Sequence, residues 1–363
     1  MTDAPEPVDP DVVTDLRRRL RKRRPTPVAD ALPGSAGVDL DLLDELLDYW
    51  ADGYDWAATE QRVRALPWRL VPTSLGPLRA VVRPAGPDAP VAVLVHGWPD
   101  SVLRFERVLP LLTDITVVIP ALPGYPFAAP VDGHGRTAAE TATMIAEAMT
   151  ALGYNEFVVS AGDVGCDVAE TIAAEHPHLV TALHLTDISQ YHYLTAMPED
   201  ANPEERAYEE HGHRWQFTEG GYMHLQRTKP RTPAVALNDS PAGLAAWLLE
   251  KLTSWTDNDG DVYQVFSRDD LLDWISGYWM SACIGTSFTP YAMSRIPDKA
   301  PPAPAVFTIY AYDLVNAPRA FAARIFNVQA WHEYSRGGHF AAWEQAASYA
   351  DAVREAVALG RRR

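Results

Sequence analysis

Phe157-Val158-Val159-Ser160-Ala161-Gly162-Asp163-Val164-Gly165 is the stretch of this chain whose residue types and spacing point most directly to chemistry. An apolar run of strand character enters a small-X-Asp-X-small turn, and a helical pattern starts immediately after it. Small residues at 161 and 165 let strand and helix approach closely, and such a turn pushes its central side chain outward, as in a nucleophile elbow. Asp163 holds that central place, and no Gly-X-Ser-X-Gly occurs in the sequence. A helix amino terminus favours an anion. An ionised carboxylate can attack carbon without a base to deprotonate it, which suits alkyl transfer better than amide cleavage. The competing explanation is that Asp163 only caps the helix.

The groups such a nucleophile needs can be sought in chain order. His96-Gly97-Trp98-Pro99 follows the apolar run Val91–Val95. A loop in that place presents a backbone N–H toward the nucleophile, and the residue after the nucleophile supplies a second. Trp98 and Val164 are the expected oxyanion-hole donors. A base should come late, between a strand and a helix, where Gly337-Gly338-His339-Phe340 stands. Asp313, just past the apolar run Val306–Tyr310, lies between nucleophile and histidine and is the expected acid; Asp298 and Glu333 are worse placed. Each of these residues could instead serve packing or an ordinary loop.

The elements around them alternate. Arg69–Val71 and Leu78–Val82 read as short strands, followed by strands at Val91–Val95, Thr116–Ile119, Glu156–Ser160 and Val180–Leu185. Helical patterns at Thr137–Leu152 and Val164–Glu175 separate the later ones, so the strands should be parallel with crossover helices. Amphipathic helices are expected at Asp11–Arg23 and Leu40–Trp50. From Ser189 to Pro297 the alternation breaks into aromatic-rich helical segments such as Pro241–Leu252 and Arg268–Trp279, which suggests an insertion. Strands at Val306–Tyr310 and Val328–His332, a helix at Phe321–Phe326 and a closing helix at Phe340–Leu359 complete the pattern.

Composition narrows the class. The chain has 363 residues, 47% of them hydrophobic, enough for one large domain with an insertion. A formal net charge of −17 argues against nucleic acid and anionic lipid as partners. The basic run Arg17–Arg24 reads as a solvated helix face rather than a binding patch. Two cysteines, Cys166 and Cys283, give no disulfide framework and fit a reducing compartment. No signal peptide and no apolar segment long enough for a bilayer is found, so a cytoplasmic location is expected.

Taken together, these motifs resemble the microsomal-type epoxide hydrolases. The resemblance runs through Tyr49-Trp50, Tyr54-Asp55-Trp56, His96-Gly97-Trp98-Pro99, Pro123-Gly124-Tyr125, Gly162-Asp163, Gly221-Tyr222-Met223-His224, Leu237-Asn238-Asp239-Ser240-Pro241 and Gly337-Gly338-His339-Phe340-Ala341-Ala342. It implies an α/β-hydrolase fold: a mostly parallel central sheet with a helical lid and a helical amino-terminal extension. The divisions expected are 1–75 for the extension, 76–188 and 301–363 for the core, and 189–300 for the lid. It also implies that two lid tyrosines, Tyr222 and Tyr291, donate hydrogen bonds to an epoxide oxygen, and that Trp98, Tyr222 and Tyr291 contact substrate. Three positions depart from the family pattern: Val164 where tryptophan is common, Pro126 where glycine often stands, and Asp313 where glutamate is usual. The implied reaction converts an apolar or aromatic epoxide to a vicinal diol, with the lid aromatics Trp215, Trp247, Trp255, Trp274, Tyr278 and Trp279 available to pack the lid or line a pocket. No cofactor and no metal is implied, the partners are epoxide and water, and a homodimer is left open. A haloalkane or haloacid dehalogenase, which shares the Asp-His-Asp set, and an inactive binding relative are the alternatives.

Overall fold

Uninterrupted apolar runs need cover on both faces, and the sheet is built around three of them. The computed structural model describes residues 3–27, 37–131, 135–293 and 295–362. Its sheet comprises β1 (Trp68–Val71), β2 (Leu78–Arg83), β3 (Val91–Val95), β4 (Thr116–Pro120), β5 (Phe157–Ala161), β6 (Val180–Leu185), β7 (Pro304–Tyr312) and β8 (Asn327–Gly338). The strand order is β1-β2-β4-β3-β5-β6-β7-β8. β4 and β5 are buried throughout; β3 lies between them, Val93 pairing with Val118 on one side and Val159 on the other. From β4 to β8 every pairing is parallel, while β1 and β2 run antiparallel at one edge. β1 lies within the first 75 residues, so the sheet begins inside the segment expected to be a helical extension.

Helices cover the sheet where the sequence places them. Ala138–Ala151 opens with a capping box, Thr137 accepting from the Glu140 N–H while Glu140 reaches back to Thr137. Val164–Glu175 links β5 to β6, and Ala346–Gly360 packs against β6 and β7. Between β6 and β7 come the insertion helices, among them Pro203–Thr218, Gly221–Thr228, Arg231–Asp239, Pro241–Ser254 and Arg268–Ser281. None of the described helices is long and apolar enough to cross a membrane.

Three elements differ from expectation. β8 continues six residues past His332, to Gly338, and delivers His339 straight from the strand end. The closing helix is two helices, Ala341–Glu344 and Ala346–Gly360, because Gln345 (φ −130°, ψ 49°) leaves the helical region. A helix at Trp56–Arg64, capped by Asp55, was too short for its periodicity to be read. The basic run is a paired surface: Arg18 and Arg19 meet Asp15, Arg21 meets Asp52, and Arg23 meets Asp44 and Asp48.

Candidate active site

Open parallel sheets bind ligands beyond the carboxyl ends of their strands, where the strand order reverses. Here β3 lies between β4 and β5, and the candidate residues gather at that end. Trp98 follows β3, Asp163 follows β5, Asp313 follows β7 and His339 follows β8.

Asp163 sits at φ 57°, ψ −139°, a conformation that costs a non-glycine residue roughly 1–3 kcal/mol. The crowding around it explains why glycine flanks the turn. A Cβ on Gly165 would meet the Val95 carbonyl oxygen at 2.6 Å, and one on Gly97 would meet Asp163 Oδ1 at 2.4 Å. The Asp163 side chain makes no capping hydrogen bond to its own helix. Its Oδ1 instead accepts from the Trp98 N–H at 2.7 Å. Capping is therefore not what holds this carboxylate.

His339 Nε2 lies 3.3 Å from Asp163 Oδ2, and its Nδ1 bonds to Asp313 Oδ1 at 2.8 Å. Burial opposes a charge on this imidazole, yet Asp313 and Asp163 together outweigh it and push its pKa up to about 10. Among the described residues, the other two buried histidines are engaged elsewhere. His96 accepts the Leu122 N–H at 3.1 Å and faces Asp100, and His184 bonds Ser160 and Thr308 across the sheet.

The backbone around His339 is held on all sides. Its N–H donates to the Trp255 carbonyl and its own carbonyl accepts from Arg104 Nη2, both at 2.8 Å. Glu344 accepts the N–H groups of Asp257, Gly338 and Phe340 at 2.8, 2.9 and 3.0 Å. Burial pushes the Glu344 carboxyl up to about 7, against the pull of those three donors. Neither Arg104 nor Glu344 stood out in the sequence, since each acts on backbone and no local pattern marks it.

Tyr222 and Tyr291 line the cleft opposite Asp163, together with Val164, Ile188, Met223 and Leu314. Both phenols are buried, and burial followed by the Asp163 charge raises both well above the ordinary tyrosine value, so both keep their protons. The Tyr291 hydroxyl is buried without a hydrogen-bond partner. Tyr222 is fixed by stacking on the Trp98 indole, with ring centroids 5.2 Å apart at 8°, and by Lys251 Nζ 4.6 Å above its ring.

The Trp98 side chain is fully buried and stacked on Tyr222, and the residues lining the cleft do not include it. The lid indoles do not line it either, among the described residues. Trp255 packs on His339 and Phe340, and Trp274 on Phe266 and Trp343. A further residue, lining the cleft itself, was also missed. Asp187, just after β6, lines the cleft and accepts the Asp163 N–H at 3.1 Å. It lies between nucleophile and histidine in chain order, as an acid should, but no motif surrounds it.

Residues 5–105 match the family described as "Epoxide hydrolase N terminus", and residues 90–223 match "alpha/beta hydrolase fold". The chain is 34% identical to a Stigmatella aurantiaca protein named "Putative epoxide hydrolase", covering 96% of this chain and 82% of that protein. It is 29% identical to "Epoxide hydrolase 1" of Oryctolagus cuniculus, covering 92% and 83%. The crystal structure of juvenile hormone epoxide hydrolase from the silkworm Bombyx mori matches with a TM-score of 0.86 at 27% identity, over 99% of this chain and 94% of that one. With this fold, this extension and this identity over most of its length, the chain belongs to the epoxide hydrolase family of α/β hydrolases.

Proposed function

We propose that the protein opens an epoxide with water through a covalent ester on Asp163. The observation that carries this reading is the single cleft holding Asp163 between a backbone N–H at 2.7 Å and an imidazole at 3.3 Å, with two protonated phenols opposite. Asp163 Oδ2, free of the Trp98 donor, attacks one ring carbon as the C–O bond opposite breaks. Tyr222 and Tyr291 hydrogen-bond the departing oxygen, whose charge develops in a site shielded from water. The product of this half is an alkyl-enzyme ester.

Esterification also removes the Asp163 charge. His339 then loses one of the two carboxylates that keep it protonated, and its pKa falls toward the range of a useful base. His339 passes its proton to the alkoxide, which becomes the first hydroxyl; neutral His339, oriented by Asp313, then takes a proton from water. That water attacks the ester carbonyl, whose oxyanion sits on the Trp98 and Val164 N–H groups, and a vicinal diol leaves. Val164, Ile188, Met223 and Leu314 support an apolar substrate skeleton. Two buried free cysteines fit a cytoplasmic setting.

A single turnover in oxygen-18 water tests the covalent route. The first diol should carry no label, and the Asp163 carboxylate should gain it. Label in that first diol would mean direct attack by water.

A further inference from the structure

Three carboxyl groups surround His339, one more than the proposed chemistry uses. Asp187 Oδ2 accepts the Asp163 N–H at 3.1 Å, and its Oδ1 is buried without a partner. Asp313 repeats the pattern: Oδ1 bonds His339 Nδ1 at 2.8 Å, and Oδ2 is buried without a partner. One oxygen from each, and one ring nitrogen of His339, lie within 4.8 Å of one another. No lysine or arginine lines this cleft among the described residues. The buried Arg104 nearby pairs with Asp100 and donates from Nη2 to the His339 carbonyl. The two residues are half-buried, but each has one carboxyl oxygen sealed from solvent; two such groups this close cannot both ionise cheaply, so one keeps a proton.

We propose that Asp187 is the group that keeps it: a positioning residue that anchors the nucleophile's backbone with one oxygen and, by staying neutral beside Asp313, leaves His339 free to act as a base. Burial first, and the Asp313 charge next, push the Asp187 carboxyl up to about 7. The groups facing it are Asp163 at the turn, Cys166 and Asp167 on the helix that follows, Asp313 after β7, His339 after β8 and Tyr208 of the lid helix Pro203–Thr218. Apart from His339, none of these carries positive charge that would draw the proton off. When Asp187 does ionise, the added negative charge holds His339 protonated more firmly and ester hydrolysis slows. Turnover should therefore fall as pH rises past neutrality, well below the range in which the two raised tyrosines titrate.

This inference rests on the epoxide-opening reading for its kinetic consequence, but its core can be tested without turnover. Infrared difference spectra of wild type against Asp187→Asn, in chelator-treated protein below pH 7, should show one protonated-carboxyl band that the variant lacks and that fades as pH passes neutrality. A band that is absent, or that appears only once a divalent cation has been stripped, overturns the proposal. In the kinetic arm, wild-type kcat on a styrene-type epoxide should drop about tenfold per unit by which the added charge raises His339. Asp187→Asn, which can still accept the Asp163 N–H, should give a level profile with little change in KM. Asp187→Ala, which loses that acceptor, should be slow at every pH. An Asn variant that declines in alkali as wild type does would reduce Asp187 to a backbone anchor. Absence of epoxide turnover by the wild type would count against the proposed function, while the infrared band still decides the state of Asp187.

Discussion

Tyr222 and Tyr291 show how far individual residues can be weighed. Their ring centroids are 6.0 Å apart at 77°, and both line the cleft that holds Asp163. If they stabilise the opening epoxide oxygen, replacing either by phenylalanine removes one donor and should slow ester formation by ~10²-fold. Ester hydrolysis, measured in the same rapid-quench experiment, should hardly change. Equal losses in both halves would mean the tyrosines only shape the cleft. These two residues were legible only through the family resemblance, since a lid tyrosine has no local signature. Asp163, Asp313 and His339 could be read from the residues because turn chemistry and chain order constrain them. Asp187 obeyed the same chain-order rule and was passed over, because a carboxyl acting through burial and a neighbour's backbone leaves no spacing to find.

At the scale of elements, the end of β8 and the turn that follows it are set by hydrogen bonds rather than by their own sequence. The glycines at 337 and 338 are plain to see, but the carboxylate that receives the Gly338 and Phe340 N–H groups is Glu344, beyond the turn. Glu344→Ala would leave three backbone donors without their acceptor. A loss of about 2 kcal/mol or more in stability is expected, read from denaturant unfolding, along with a fall in ester hydrolysis as His339 drifts. A stable variant with full activity would show that Trp255 and Arg104 hold the histidine without it. The strand and helix order of the core was readable because uninterrupted apolar runs admit few other arrangements. The break at Gln345 and the length of β8 depend on tertiary contacts and were not.

Across the whole molecule, the amino-terminal helices are tied to the lid. Tyr54 and Thr59 donate to Asp273 Oδ1 at 2.7 and 2.6 Å, and Arg62 pairs with Asp273 Oδ2. Asp273 belongs to the lid helix Arg268–Ser281, which Tyr49 also reaches through Asp269 at 2.8 Å. The extension thus braces the lid that carries the tyrosines. Asp273→Ala takes away the buried acceptor of two hydroxyl groups and the partner of a half-exposed guanidinium, and should cost about 2 kcal/mol, seen as a lower melting temperature. Looser tyrosines should raise KM as well. An unchanged melting temperature would show that apolar packing alone holds the extension in place. The acidic helices and the tryptophans of this region were visible in the sequence, but which carboxylate they would share was not.

The central claim is that Asp163 forms a bond to substrate and His339 releases it. Intact-protein mass spectrometry of His339→Gln after mixing with a styrene-type epoxide tests it most directly. The account predicts a stable gain equal to the mass of the epoxide, mapped by peptide sequencing to Asp163, and no such gain in Asp163→Asn. An unmodified His339→Gln protein that still yields diol, or an adduct on another residue, would contradict it.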